Sequence, residues 1–163
     1  MINDIIKADF SPPILDDVAI NILAIMEEYK ISEIPVVARN NQFLGLLDES
    51  NILNMESLQE PLFFLKKKLK NIFLLSNSHI FQSIQILSEN KLSLIPILDE
   101  KNSYLGYVQP KDIVGKMGLL GYNNNSIIII SLNKKDYTLH EISRLIEENN
   151  GKIISMWSES TDE

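Results

Sequence analysis

Few side chains in this sequence have the types and spacing that catalysis or metal binding requires. The chain of 163 residues has no cysteine, which excludes thiolate nucleophiles, thiolate zinc sites and disulfides. Its two histidines, His79 and His140, are far apart, and neither has a second histidine one helical turn away. A catalytic triad or a metal site is therefore not expected. We predict that the protein is not an enzyme and that it has no metal centre.

The chemistry that the sequence favours is binding, at two related stretches. The first motif is Gly45–Asn51, with the sequence GLLDESN, and the second motif is Gly106–Asp112, with the sequence GYVQPKD. In each motif a short apolar strand ends and a helix is expected to begin, and Pro110 suits a first helical position. The start of a helix has unpaired N–H groups and a partial positive charge, so it can hold a phosphate.

Both motifs belong to an internal repeat. A shift of 61 residues aligns Asp17–Leu53 with Ser78–Val114 without a gap, and ten of the 37 aligned positions are identical. Both prolines and both glycines of the aligned strands fall on each other at this one offset. Chance similarity between two Ile-rich stretches rarely does this, so we take the repeat as real.

Each copy predicts the order β-α-β-β-α. Apolar residues at helical spacing follow Asp16–Asp17 in the first copy and Ser78 in the second, and we expect these polar residues to cap the helices. Short extended segments, Pro13–Leu15 and Ile72–Leu75, precede the helices.

The strands of each copy are marked by proline and glycine. Pro35 and Pro96 each open a β-branched run, because proline can begin a strand but cannot donate within a ladder. Gly45 and Gly106 lie inside the return strands. A glycine there usually marks a bulge or the close approach of another backbone.

A further β-α-β pattern follows the repeat. Ile127–Leu132 and Ile153–Trp157 predict strands, and Thr138–Asn150 predicts a helix between them. Thr138 and Glu141 have the spacing of a capping box, and Asn150 with Gly151 is a helix stop.

A hydrophobic-Pro strand, a polar turn, a hydrophobic-Gly strand and a helix with Asp or Asn at its second turn together resemble the CBS domain. Two tandem copies resemble a CBS pair, or Bateman module. The resemblance implies an α/β (α+β) fold with tandem β-α-β-β-α repeats at residues 1–60 and 61–118. Residues 126–163 resemble the first half of an ACT domain, which is ferredoxin-like, and the order resembles bacterial acetoin-utilisation-type CBS-ACT proteins.

The remaining length is too short for a complete ACT domain. We therefore expect the sequence to be part of a longer protein. The alternative is a small β-α-β appendage packed on the CBS pair.

The CBS resemblance implies roles for the residues of the second motif. In that family a hydroxyl side chain contacts phosphate, and a carboxylate one turn later accepts hydrogen bonds from ribose hydroxyls. Asp112 matches the carboxylate, Lys111 is placed to attract a phosphate, and Gln109 replaces the usual Ser or Thr. The alternative is that Asp112 only stabilises the start of its helix. The residues that the resemblance places near adenine are Ile95, Pro96 and Ile72.

The first motif departs further from the family pattern. Asn51 replaces the carboxylate, while Asp48 and Glu49 put two negative charges where a phosphate would bind. Like charges in near contact cost about 1 kcal/mol in water-like surroundings and several times more when partly buried. We therefore predict a degenerate site that does not hold a nucleotide phosphate.

Two functions remain open at this point. One is a regulatory sensor of an adenosine-containing ligand, such as AMP, ADP, ATP, NAD or S-adenosylmethionine, bound between the repeats. The alternative is a ligand-free structural and dimerisation module of a larger CBS-ACT protein. We expect a homodimer, because the helices carry more apolar residues than one small core needs, with Leu62–Leu65 as candidates to cover the surplus.

Net charge and hydropathy disfavour nucleic acids and membranes as partners. Fifteen Lys and Arg against 22 Asp and Glu leave a net charge of −7, which disfavours nucleic-acid binding. No apolar run approaches the ~20 residues of a membrane span, and the N-terminus lacks the apolar stretch of a secretory signal. We therefore expect a cytoplasmic protein that does not enter a membrane.

Overall fold

The computed structural model describes residues 2–122, 126–131 and 138–157, in two compact units, Met1–Lys116 and Met117–Glu163. The first unit holds both copies of the repeat in a mixed α/β fold. Short 3₁₀ helices cover Ile2–Ile5 and Leu62–Lys68. The α-helices are α1 (Ala19–Tyr29), α2 (Glu49–Leu53), α3 (Ile80–Asn90), α4 (Pro110–Tyr122) and α5 (Leu139–Glu148). The strands are β1 (Glu33–Val37), β2 (Phe43–Asp48), β3 (Leu74–Leu75), β4 (Ile95–Leu98) and β5 (Tyr104–Val108). Among the described residues, no helix is both long and apolar enough to cross a membrane.

The strand pairing confirms the predicted β-α-β-β-α repeat. β1 pairs antiparallel with β2, and β4 pairs antiparallel with β5 in the same register. An extended residue before each helix adds a parallel partner: Ile14 pairs with Val37, and Leu75 pairs with Leu98. Both pairings are related by the 61-residue offset, so the two copies share one backbone plan.

Each repeat pairs with the segment that precedes the other repeat, so the two leading segments are exchanged. Lys7, before the first repeat, exchanges two backbone hydrogen bonds of 2.9 Å with Tyr107 of the second. Lys70, before the second repeat, pairs in the same way with Leu46 of the first, at 2.8 and 2.9 Å. We call residues 2–10 the N-terminal segment and residues 62–72 the inter-repeat segment.

The two strand glycines make this exchange possible. A Cβ on Gly106 would lie 2.2 Å from the Lys7 carbonyl oxygen, and a Cβ on Gly45 would lie 2.6 Å from the Leu69 Cβ. The β1–β2 and β4–β5 ladders shift register beside these glycines. The predicted close approach of another backbone is therefore confirmed at both positions.

The two hairpin turns also bond to each other. Asn41 and Asn102 both have a φ of 65°. The Asn41 side-chain amide donates to the Tyr104 carbonyl at 2.8 Å, and the Asn102 amide donates to the Phe43 carbonyl at 3.3 Å. In return, the Phe43 N–H donates to the Asn102 carbonyl and the Tyr104 N–H donates to the Asn41 carbonyl, each at 3.0 Å. This reciprocal bonding relates the repeats by a local two-fold arrangement, which the sequence analysis did not foresee.

The core of the first unit consists of strand residues and the inner faces of the helices. Every residue of β1 and β4 is buried. Full burial of one such aliphatic side chain stabilises the fold by about 1.5–3 kcal/mol. The largest fully buried side chains are Ile2, Met26, Ile34, Leu46, Leu47, Ile52, Leu62, Leu94, Ile95, Ile97, Leu98 and Tyr107.

The two aspartates predicted to cap α1 do not cap it. Val18 is the N-cap of α1 and makes no side-chain capping bond. Asp17 instead accepts a hydrogen bond from the Ile14 N–H at 2.8 Å, and Asp16 pairs with Arg39 at 2.7 Å. The two carboxylates therefore hold the turn before the helix rather than the helix itself.

The N-cap of α3 lies one residue later than predicted. Its N-cap is His79, not Ser78: His79 Nδ1 accepts from the Phe81 N–H at 3.3 Å, and Gln82 Oε1 accepts from the His79 N–H at 3.0 Å. Exposed His79 thus has a structural role at the start of a helix.

The second unit contains the predicted helix. Thr138 Oγ1 accepts from the Glu141 N–H at 3.2 Å at the start of α5. At the other end Asn150 has a φ of 62°, and the Gly151 N–H donates to the Ile146 carbonyl at 2.9 Å. The capping residue and the helix stop are both where the sequence predicts them.

The two strands predicted beside α5 are not formed in the described residues. Residues 126–131 and 151–157 have no ladder pairing, so the predictions at Ile127–Leu132 and Ile153–Trp157 are wrong for the part described, and Leu132 lies outside it. Ile127 and Ile129 are 75% and 90% exposed. A strand needs a hydrogen-bonded neighbour, and this segment has none within the described chain.

Candidate ligand-binding site

The second motif places one carboxylate at the start of a helix. β5 ends at Val108 and α4 begins at Pro110, as predicted. Asp112 Oδ2 accepts a hydrogen bond from the Gln109 N–H at 3.1 Å, which ties the carboxylate to the first turn. Asp112 Oδ1 lies 2.5 Å from Lys7 Nζ, and the aspartate side chain is only 13% exposed. The carboxylate is therefore fixed in position and has a cation beside it.

The first motif has the same backbone path but a different charge arrangement. β2 ends at Asp48, and the short helix α2 follows directly. Asp48 Oδ2 lies 2.6 Å from Lys70 Nζ and accepts a hydrogen bond from Asn51 Nδ2 at 3.4 Å. The carboxylate thus stands at the cap of the helix, whereas in the second motif it stands in the first turn.

The polar residues predicted for the site differ in exposure. Gln109, next to the helix start, is 6% exposed, while Lys111 in the first turn is exposed. Asp112 lies between these extremes. The second motif therefore presents one largely buried carboxylate and one solvated ammonium on the same helical turn.

The apolar residues predicted for the site lie on β4 and just before β3. Ile95 and Pro96 are buried, and Ile95 pairs with Val108, directly before Gln109. Ile72 lies two residues before β3, and β3 pairs parallel with β4, the strand that carries Ile95 and Pro96. The contact of these three residues with adenine stays a prediction.

Sequence reasoning missed the two lysines that pair with the carboxylates. Lys7 and Lys70 are 63 positions apart, whereas the repeat offset is 61, so a gap-free alignment does not match them. They also contact the opposite repeat, which a linear comparison does not show. Their shared feature in the sequence is only a lysine shortly before each extended segment.

An aromatic cluster lies under the N-terminal segment. The Phe10 ring is 5.0 Å from the Tyr107 ring and 5.1 Å from the Tyr29 ring, between centroids. The Tyr107 hydroxyl donates to Asp9 Oδ1 at 2.6 Å, and the Tyr29 hydroxyl donates to the Asp9 carbonyl at 2.7 Å. Burial, and then the bond to Asp9, raises the pKa of Tyr107, so this hydroxyl stays a donor at neutral pH.

Two further contacts fix the N-terminal segment. Ile2 is fully buried, and Asp4 pairs with Lys116 of α4 at 2.9 Å. The hydrogen bond and the charge of Lys116 lower the pKa of Asp4. The segment that carries Lys7 is therefore held along its length against β5 and α4.

Two β-α-β-β-α repeats that exchange their leading segments form a tandem α/β module, and its family follows from comparison with known proteins. The CBS domain family model matches residues 15–57 and 68–118, more than half of the chain. The chain therefore belongs to the CBS domain family and contains a CBS pair. The family match ends at residue 118, so the ACT and acetoin-utilisation resemblances stay predictions.

Solved structures share this fold at low identity. A CBS domain pair/ACT domain protein from Thermotoga maritima is 19% identical, with a TM-score of 0.64, over 73% of this chain and 97% of the other. CBSX2 in complex with AMP is 13% identical, with a TM-score of 0.61, over 73% and 96%. The CBS domain of a bacterial CNNM/CorC family Mg²⁺ transporter in complex with ATP is 15% identical, with a TM-score of 0.56, over 72% and 86%. No curated protein matches the chain at a significant level.

Proposed function

We propose that this CBS pair is a non-catalytic regulatory module that binds an adenosine-containing ligand at the second motif. The observation that carries the proposal is the Asp112 carboxylate, which is held in the first turn of α4 by the Gln109 N–H. A carboxylate has about four lone-pair positions, and two of them are used here, so it has capacity to accept ribose hydroxyls. The AMP and ATP complexes of CBSX2 and the transporter CBS domain support this ligand class.

The neighbours of Asp112 suit the other parts of such a ligand. Lys111 is exposed one residue before it and supplies positive charge for a phosphate. Ile95 and Pro96 give buried apolar support beside the motif, suited to adenine. Ile72, just before the parallel partner strand of β4, is the third apolar residue that we propose for adenine.

The first motif is not proposed to bind a nucleotide. Asp48 already accepts from Asn51 and pairs with Lys70, and Glu49 adds a second negative charge at the start of α2. A phosphate placed there would meet two carboxylates, and repulsion of this kind grows as the site becomes less exposed to water.

The test of ligand binding is a thermal-shift series with AMP, ADP, ATP, NAD and S-adenosylmethionine. A ligand at 100 times its Kd stabilises the protein by about 2.7 kcal/mol, which raises the unfolding midpoint by a few degrees at this size. We expect one of these compounds to shift the wild type and Asp48→Ala, the matched control, but not Asp112→Ala.

Asp112→Asn separates ligand binding from helix capping. The amide oxygen can still accept from the Gln109 N–H, so the helix start keeps its capping bond while the charge is lost. A variant that folds as the wild type does and no longer responds to the ligand supports the ribose role. An unchanged response in Asp112→Ala, or no response of the wild type to any of the five compounds, contradicts the proposal.

A second function, homodimerisation, is favoured by exposed apolar side chains on the helices of the second repeat and on the inter-repeat segment. Phe81 and Ile84 of α3 are 43% and 37% exposed, and Val114 of α4 is 69% exposed. Phe63 and Phe64 of the inter-repeat segment are 56% and 66% exposed, with ring centroids 6.3 Å apart. Exposed apolar side chains that gather into a patch are typical of protein interfaces, and the paired rings of Phe63 and Phe64 are the start of one. We therefore expect twice the chain mass in light scattering at micromolar concentration, and a monomer mass would contradict this.

A further inference from the structure

The carboxylate of the proposed site is already paired with a cation of the protein. Lys7 Nζ lies 2.5 Å from Asp112 Oδ1, in a pair whose side chains are 32% and 13% exposed. Ribose hydroxyls that take the oxygen facing Lys7 must share it with the ammonium or displace it. Displacement would leave a partly buried charge without a partner, which opposes binding unless the ligand replaces that partner.

Lys7 is able to change partners without a change in the fold. Its backbone is held by two hydrogen bonds to Tyr107, and its carbonyl oxygen lies against Gly106. Only the side chain is free to turn, and a lysine side chain is a flexible stem with a point charge at its end. The Lys7 ammonium group can therefore move from Asp112 to a nearby anion while the N-terminal segment stays in place.

The other charged groups near Lys7 do not offer it an equivalent partner. Asp4 of the same segment already pairs with Lys116 at 2.9 Å, and Asp9 accepts from the Tyr107 hydroxyl at 2.6 Å. A phosphate that enters beside α4 would bring the new negative charge, and it would also meet Lys111 in the first turn.

We propose that Lys7 is a specificity-determining residue of the second motif, which favours adenosine compounds that carry a phosphate over those that do not. This inference rests on the proposed function. When a phosphorylated ligand binds, one ion pair is exchanged for another: ribose takes Asp112, and Lys7 moves to the phosphate. When adenosine itself binds, Asp112 gains the ribose but Lys7 loses its partner, so the affinity is lower.

The test compares AMP with adenosine by titration calorimetry on wild type and Lys7→Met. Methionine keeps an apolar stem of similar length and the backbone pairing to Tyr107, but it has no charge. We expect the wild type to prefer AMP, and Lys7→Met to reduce the ratio of the two affinities by about tenfold, the size of one charge-assisted contact. Adenosine should bind the variant at least as well as it binds the wild type.

Lys70→Met is the matched control, because Lys70 forms the corresponding pair with Asp48 of the first motif. The control should keep the wild-type ratio of affinities. Lys7→Arg, which retains the charge, should also keep a preference for AMP. Rising salt should weaken AMP binding to the wild type more than adenosine binding, and this readout serves if Lys7→Met does not fold.

The outcomes separate this inference from the proposed function. If the wild type binds AMP and Lys7→Met keeps the same AMP-to-adenosine ratio, the role of Lys7 is wrong and the proposed function stands. An equal loss of preference in Lys70→Met also overturns the role of Lys7. If neither wild type nor Lys7→Met binds either compound, the role of Lys7 is wrong, and the proposed function fails only if the other compounds of the thermal-shift series give no response either.

Discussion

The two motifs show how one backbone plan carries two different charge arrangements. Asp48 aligns with Gln109, and Asn51 aligns with Asp112, so the carboxylate and the neutral polar residue have exchanged places between the repeats. In each case a lysine from the exchanged segment pairs with the carboxylate, wherever it stands. The repeat therefore conserves an ion pair at the start of its second helix, while the position that accepts ribose in this family is charged in only one copy.

The return strands differ in a second way. β5 has Tyr104 and Tyr107 where β2 has Phe43 and Leu46, so hydroxyl groups are present in only one of the two equivalent strands. One of these hydroxyls is bonded to Asp9, whereas the other has no hydrogen-bond partner among the described residues. Of the two return strands, only the one that leads into the second motif thus carries tyrosine hydroxyls.

The largest expected effect on stability concerns the strand glycine that both repeats share. Alanine at Gly106 or Gly45 should lower the free energy of unfolding by about 2–6 kcal/mol, because a φ of 148° or 155° strains an L-residue and the new Cβ meets the exchanged segment. Gly106→Ala should be the more severe, since its Cβ would lie 2.2 Å from a backbone oxygen. Chemical denaturation measures both.

Gly115→Ala is the control for these variants. Nothing lies within 4 Å of a Cβ at this helical position, so alanine should stabilise α4 by about 0.5–1 kcal/mol. If Gly45→Ala and Gly106→Ala are as mild as other strand substitutions, the exchange of leading segments in the fold would be wrong.

The same glycines show how far the sequence alone predicts this fold. Strand order and close approach follow from local pattern, because proline and glycine restrict the backbone wherever they stand. What approaches Gly106 is Lys7, about a hundred residues away, and no local pattern encodes that contact. The capping bonds predicted for Asp16 and Asp17 are absent for a related reason: these carboxylates have competing partners in Arg39 and in the backbone of Ile14.

The residues of the candidate site also divide into those that a local sequence pattern predicts and those that a distant segment supplies. Asp112 and Gln109 were predicted, because they follow the glycine at fixed spacing in one motif. Lys7 was not, because it comes from the opposite repeat and lies off the 61-residue offset. Ile72 was predicted from the short extended segment before the second repeat, and that segment ends in β3, the parallel partner of β4.

The next effect concerns the bonded hydroxyl that only the second repeat has. Tyr107→Phe should lower the free energy of unfolding by about 1 kcal/mol, since it removes the bond to Asp9. Burial and Asp9 raise the pKa of Tyr107 above its unfolded value, so this stabilisation is fully present below about pH 10. It is lost as the pH rises through the folded pKa, because the unfolded chain then ionises first.

Thermal unfolding followed from pH 8 upward, with the absorbance of tyrosinate as a second readout, checks this dependence. Wild type should lose stability above about pH 10 more steeply than Tyr107→Phe. Equal slopes would show that Tyr107 does not have the raised pKa and would weaken the contrast between the two return strands.

The smallest effect concerns Tyr104, whose hydroxyl is buried without a hydrogen-bond partner among the described residues. Burial raises the pKa of this hydroxyl as well, because the interior disfavours the phenolate. Phe43 shows that the equivalent position in the first repeat needs no hydroxyl. An unsatisfied buried group is unfavourable, so Tyr104→Phe should be neutral or should stabilise the fold by up to about 1 kcal/mol, measured by chemical denaturation. A loss of more than that would mean that the hydroxyl is bonded in solution and that the second repeat depends on two tyrosine hydroxyls rather than one.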